Sequence, residues 1–177
     1  MSDNFVLDVT RIREKVQERM DQGPSTRSYG PDVAQVVAIL NDVVATGVVC
    51  WTRYTRDAIC ASGGDRAQVA AEFREHAAQE MRHALWAAER VSQLGGAPDP
   101  DPMTVAAYAH IDHTIQDSGE LRQVLRDNLL AERVVIEAYR EILQWLGDRD
   151  PTTRRLLESI LQEEEEHADD ILDLLGH

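Results

Sequence analysis

Glu80-Met81-Arg82-His83 and Glu164-Glu165-Glu166-His167 share the pattern Glu-x-x-His. On a helix, that spacing projects a carboxylate and an imidazole from one face, one turn apart. Two such pairs facing each other would offer two imidazoles and two bridging carboxylates, a donor set suited to iron or manganese. One Glu-x-x-His is weak evidence, because both residues are common on helices. Two of them, each interrupting an otherwise apolar seam, are strong. Glu132 interrupts a third seam. A lone carboxylate is costly to bury, so inward carboxylates are expected to be paired or metal-bound. Glu163, Glu165 and Glu166 read as a solvated acidic face, and His76 as a packing or ligand-orienting residue rather than a ligand.

The elements that would position these residues follow from periodicity and punctuation. Val6, Val9, Ile12, Val16 and Met20 suggest a short amphipathic helix within an N-terminal arm, residues 1–30. Gly23-Pro24 and Gly30-Pro31 break it from a main domain, residues 31–177. Four long helices are predicted there, from about Pro31 to Ala61, Asp65 to Leu94, Glu120 to Leu146 and Asp150 to Leu175. Their seams step by three and four. The first reads Val33, Val37, Leu40, Val44, Gly47, Trp51, Tyr54, Ala58. The second is Val69, Phe73, His76, Glu80, His83, Ala87. The third is Leu125, Asn128, Glu132, Val135, Tyr139, and the fourth Leu157, Ile160, Glu164, His167, Ile171, Leu174. Such seams pack as an antiparallel four-helix bundle, with Ala97 to Ser118 as a long crossover between the second and third helices.

Composition agrees. Aromatics are 5% of 177 residues, which favours helices over a β-rich fold. No apolar run looks long enough to span a membrane, and Met1-Ser2-Asp3-Asn4 does not resemble a signal peptide, so the expected location is cytoplasmic. The formal charge of −14, with Lys15 the only lysine, argues against nucleic acid as a partner. Cys50 and Cys60 lie too far apart along one helix for a disulfide and read as buried or idle thiols.

A faint internal repeat relates the first and third helices. A shift of 85 positions sets Asp42 on Asp127, Gly47 on Glu132, Val49 on Val134 and Tyr54 on Tyr139. A pseudo-two-fold metal site would need a carboxylate at both 47 and 132, and only Glu132 supplies one. Neither Asp42 nor Thr46 shares the face needed to replace it. Glycine inside a helix costs about 1 kcal/mol relative to alanine, so Gly47 calls for a reason. It either leaves room at the metal site or reflects simple decay, and because the seam points position 47 inward, Gly47→Glu is expected to raise both metal occupancy and oxidation rate.

The stretches Glu75-His76-Ala77 through Glu80-Met81-Arg82-His83-Ala84, Ala88-Glu89-Arg90-Val91 and Leu94-Gly95-Gly96 resemble bacterioferritins and the related dodecameric Dps-like ferritins. So do Leu130-Ala131-Glu132-Arg133 and the run from Asp150-Pro151 to His167-Ala168-Asp169-Asp170. The resemblance spans nearly the whole chain. It implies an all-α, ferritin-like bundle in a hollow homo-oligomer of 12 or 24 subunits that oxidises ferrous iron and stores the product. It carries the metal ligands over to Glu80, His83, Glu132, Glu164 and His167. It places the family's first glutamate at Gly47, which implies weakened or altered ferroxidase chemistry. Met81 falls where bacterioferritins carry a haem-ligating methionine, so haem b is a further implied cofactor. Other functions compatible with this pattern are a non-catalytic cage subunit and a di-metal oxidase whose organic substrate fills space beside Gly47.

Overall fold

The computed structural model describes residues 6–17, 20, 23–26, 28–61, 66–99, 101–111 and 120–176. Six helices follow in order: α1 Val9–Gln17, α2 Val33–Cys60, α3 Ala67–Gln93, α4 Pro102–Tyr108, α5 Leu121–Leu146 and α6 Pro151–Leu175. No strand occurs among the described residues. The four long helices α2, α3, α5 and α6 form the bundle, each within two or three residues of its expected bounds.

Local chemistry sets the ends. Asp32 caps α2 by accepting from the Ala34 amide. Asp150 accepts from the Thr152 and Thr153 amides, and Pro151 starts α6. Both carboxylates satisfy amides that a helix start leaves without partners. After α3, Gly95 turns the chain with φ +83°, a conformation that suits glycine.

Cross-helix contacts give the packing directions. Tyr54 meets Phe73 and His76, while Gly47 lies against Glu80 and Ala84, so α2 and α3 run antiparallel. Arg82 meets Glu163, and Arg90 meets Thr153, so α3 and α6 run antiparallel too. Tyr54 reaches Glu132, and Asn128 reaches Asp57, which sets α5 antiparallel to α2. Helices α3 and α5 therefore run the same way, and the chain between them must return along the bundle. That crossover contains α4, a helix that periodicity did not reveal. Thr46 fastens the crossover to α2 by accepting from the His110 amide at 2.9 Å. Residues 112–119 of the crossover lie outside the described residues.

The seams of α3 and α5 are buried at every expected position. The α6 seam is buried except at Leu174, where Leu175 is the buried neighbour. On α2 the expected seam is corrected at both ends: Val33 and Val37 are only partly buried while Val36 is buried at 1%, and Trp51 is 39% exposed while Cys50 turns inward at 2%. The helix rotates slightly past the expected stripe there. A second correction concerns length. Helix α2 is in fact long and apolar enough to cross a membrane. Its valines and leucine instead fill the bundle core, with Val36, Leu40, Val43, Val44 and Val49 all buried. Helix α1 forms within the expected span but buries none of its residues. Behind it, Tyr29 donates to Asp150 at 2.6 Å and ties the chain to the start of α6.

Candidate metal centre

Glu80, His83, Glu132, Glu164 and His167 converge in the middle of the bundle, each no more than 1% exposed. Each arrives from a seam position of its own helix, so the interruptions in the apolar pattern mark one place. His83 Nδ1 lies 3.6 Å from Glu80 Oε2 and 3.3 Å from Glu164 Oε1. His167 Nδ1 lies 3.7 Å from Glu80 Oε1, 3.4 Å from Glu164 Oε2 and 3.8 Å from Glu132 Oε1. Glu80 and Glu164 therefore each turn one oxygen toward each imidazole. That is the disposition of two bridging carboxylates between two positions. One position is flanked by Glu80, Glu132, Glu164 and His167, whose ligating atoms all lie within 4.8 Å of one another. The other has His83, Glu80 and Glu164.

A cation fits this donor set. Both oxygens of Glu80 and of Glu164, Glu132 Oε2, and the Nδ1 atoms of His83 and His167 are buried and make no hydrogen bond. Buried polar atoms are normally paired, and here the unpaired ones point at each other. The outward nitrogens, by contrast, are held. His83 Nε2 lies 3.1 Å from Glu163 Oε2, which also accepts from Arg82 at 2.9 Å. His167 Nε2 lies 2.6 Å from Gln79 Oε1. Such outer partners fix ring orientation and leave the inner nitrogen for metal. Glu163 is thus not simply part of a solvated face, as its surroundings in sequence suggested; it orients His83. Tyr54 donates its hydroxyl to Glu132 Oε1.

Electrostatics point the same way. Burial, then Glu164, pushes Glu80 up to about 7. Burial, then Glu164 and Glu80, pushes Glu132 well above the usual carboxylate range. Burial disfavours the charged form of His83, but Glu164 and Glu80 outweigh it and raise the ring to about 10. Burial likewise opposes ionisation of Glu164, yet His167 and His83 hold it well below the usual range. Three acids in a dry pocket cannot all ionise without added positive charge, which a divalent cation supplies.

The chain's other candidates fall around this centre. His76 is buried and stacks on His167, ring centroids 4.1 Å apart. Burial, then His167, lowers His76 to about 4, so it is neutral near pH 7. Met81 sits partly buried on α3 beside Glu80. Cys50 is buried, in keeping with the expected buried or idle thiol, and burial and then Glu80, Glu132 and Glu164 push its thiol up. Cys60 is exposed and both thiols are free.

Residues 37–177 match the family model for the ferritin-like domain. The chain belongs to the ferritin-like family. Over 135 residues it is 29% identical to a bacterioferritin from Desulfovibrio desulfuricans, covering 76% of this chain and 70% of that protein. The solved structure of D. desulfuricans bacterioferritin, described with a diiron site, superposes with a TM-score of 0.69 at 26% identity, covering 82% of this chain and 80% of that one. A dodecameric thioferritin, the bacterioferritin-related protein of Bacteroides fragilis, superposes with a TM-score of 0.78 at 29% identity over 94% and 93% of the two chains. A nutrient stress-induced DNA-binding protein of Synechococcus sp. is 28% identical over 140 residues, 76% of this chain and 77% of that one.

Within this ferritin-like bundle, Gly47 has a reason the sequence did not show. A Cβ built there would lie 2.8 Å from the Glu80 carbonyl oxygen and 3.1 Å from both Ala84 Cβ and Ala84 N. The glycine lets α2 approach the main chain of α3 behind the centre. The position is inward, as the repeat implied, but the space beside it is filled by α3. Gly47→Glu is therefore not a simple restoration of a ligand. The repeat itself holds at the tyrosines, since Tyr54 and Tyr139 are both fully buried and both feel the carboxylate cluster.

Proposed function

We propose that this protein binds iron at Glu80, His83, Glu132, Glu164 and His167, and oxidises and stores it within a homo-oligomer, with two cation positions of unequal strength. The observation that carries this reading is the convergence of unpaired buried donor atoms from three helices, α3, α5 and α6, on one point. Carboxylate and imidazole donors suit iron, with manganese a chemically close competitor. Bound iron would supply the electrons that reduce oxygen or peroxide. The protein's residues bind the cation, orient both imidazoles through Glu163 and Gln79, and exclude bulk water.

The inequality comes from α2. The position with Glu132 and His167 has three carboxylates and one imidazole around it, whereas the position with His83 has two carboxylates and one imidazole. The repeat-related site on α2 offers Gly47 instead of an acid. Cation held at the His83 position should exchange more readily and fill last, giving slower iron oxidation than two equal positions would. An organic substrate beside Gly47 is disfavoured, because the α3 main chain occupies that space.

Of the expected 12 or 24 subunits, the dodecameric B. fragilis relative favours assembly into 12. Assembly would also cover exposed apolar side chains such as Leu130 and Val134 on α5 and Val9 on α1. Haem at Met81 is a separate part of this reading, tested by titrating haem into wild type and Met81→Leu. The acidic charge of −14 still argues against direct binding to nucleic acid. The location proposed is the cytoplasm.

The deciding experiment is iron-edge anomalous diffraction paired with an iron-oxidation assay. A full peak beside Glu132 and His167, a weaker peak beside His83, and slow oxidation are expected. Two full peaks with rapid oxidation would refute the unequal site. No peak at either position after anaerobic ferrous loading would refute the iron-binding reading.

A further inference from the structure

A second group of donors lies on the far side of the His76–His167 stack. Glu72 and His76 are one turn apart on α3, and Asp170 comes from α6. His76 Nε2 lies 3.4 Å from Asp170 Oδ2 and 3.7 Å from Glu72 Oε1. One ligating atom from each of the three lies within 4.8 Å of the other two. The imidazole is 1% exposed, while the Glu72 and Asp170 side chains are 30% and 48% exposed. The three donors form a cup with a buried floor and an open mouth.

We propose that Glu72, His76 and Asp170 form a second, mononuclear site for a divalent transition-metal cation, open to solvent and separate from the buried centre.

Three features favour this over a plain ion pair. A neutral imidazole has at most one N–H, so Nε2 cannot donate to both carboxylates. Both separations also exceed that of a good N–H···O hydrogen bond. They are instead close to the spacing of neighbouring ligands on one tetrahedral ion, since bonds of about 2.1 Å at about 109° set donors about 3.4 Å apart. Next, the ring is fixed. It is packed edge-on against Tyr54 and face-on against His167, at centroid distances of 5.1 and 4.1 Å. Nε2 is therefore aimed at the two acids without cost at the moment of binding. Last, two carboxylates approach each other at the mouth, and the partly buried Glu72 is raised by burial and then by Asp170. A cation between them would relieve both. One imidazole and two carboxylates leave positions for water, as an exchanging site requires.

The site stands whether or not the buried centre holds iron, and the test keeps the two apart. Manganese(II) is titrated into the full-length protein, with free ion counted by electron paramagnetic resonance. Anomalous diffraction is then collected from manganese-soaked crystals of wild type, Asp170→Asn, Glu72→Gln and Glu164→Gln. Expected are a peak bonded to His76 Nε2 in wild type, its retention in Glu164→Gln, and its loss in Asp170→Asn and Glu72→Gln. In solution those two surface variants should lose one class of site, with at least tenfold weaker binding. Either is spared the folding risk of replacing His76. Absence of a wild-type peak at His76, with the buried centre loaded or empty, overturns the proposal. So does a peak that neither surface substitution weakens.

Discussion

Gly47→Ala tests how closely α2 must approach α3, which carries Glu80 and His83. The new methyl group would sit 2.8 Å from the Glu80 carbonyl oxygen and 3.1 Å from Ala84 Cβ and N. Ordinary contacts begin near 3.4 Å, so α2 and α3 must separate by roughly half an ångström, and the opposing atoms are main chain that cannot swing aside. Overpacking of this kind costs about 2–3 kcal/mol when backbone must move. Alanine returns about 1 kcal/mol of helix propensity, leaving a net loss of about 1–2 kcal/mol. Urea denaturation of metal-free protein reads that loss directly. The same shift displaces Glu80, whose two oxygens face the two imidazoles, so cation affinity should fall at both positions. Gly47→Glu should be worse on both counts. A stabilised Gly47→Ala, together with a Gly47→Glu that gains metal and rate, would refute the close-approach account. It would also show that position 47 opens into the centre.

Four further outcomes are expected. Asp150 accepts from Thr153 Oγ1, Tyr29 and the Thr152 and Thr153 amides, and pairs with buried Arg90. Asp150→Ala leaves that arginine without its carboxylate and should cost about 3–5 kcal/mol in chemical denaturation. Burial opposes ionisation of Asp150, but hydrogen bonds from Thr153, Tyr29 and Arg90 prevail and lower it from 3.8 to about 2. A depressed acid stabilises the fold above its unfolded value, so about 2 kcal/mol should be lost as pH falls from about 4 to about 2, and Asp150→Asn should abolish that part of the acid titration. Removing metal with a chelator should lower the melting temperature, since a cation at a hundred times its dissociation constant adds about 2.7 kcal/mol; an unchanged melting curve would count against a filled site. Tyr54→Phe removes the hydroxyl that Glu132 accepts and should destabilise metal-free protein by about 1–3 kcal/mol, with a smaller effect once cation is bound.

Much of this was legible in the sequence because it depends on periodicity. All five proposed ligands sit on seam positions, and a charged residue recurring on an apolar stripe is visible without coordinates. Helix ends were legible where Asp-Pro or paired glycines mark them. What was hidden depends on rotation and distance. Trp51 and Cys50 are adjacent, and a small rotation of α2 exchanges which of them faces the core. Glu163 resembles its acidic neighbours until Arg82 and His83 are seen to approach it. The reason for Gly47 is an interhelical distance, and no one-dimensional pattern records that. Short α4 has too few residues for a clear period and owes its place to packing on α2.

The asymmetry of the centre follows from the same close approach. In a pseudo-two-fold bundle, α2 and α5 stand in equivalent places, and their buried tyrosines, Tyr54 and Tyr139, keep that relation. Glu132 projects from α5 toward His167, and Tyr54 crosses from α2 to donate to it. No acid on α2 makes the reciprocal contact with His83 among the described residues. The equivalent backbone position is instead spent on bringing α2 against Glu80 and Ala84. An added carboxylate would need α2 to stand further off, loosening the packing that holds Glu80 between both imidazoles. A tight hairpin and a fourth acid therefore compete for one position. This chain keeps the hairpin, and the proposed inequality of its two cation positions is the expected consequence.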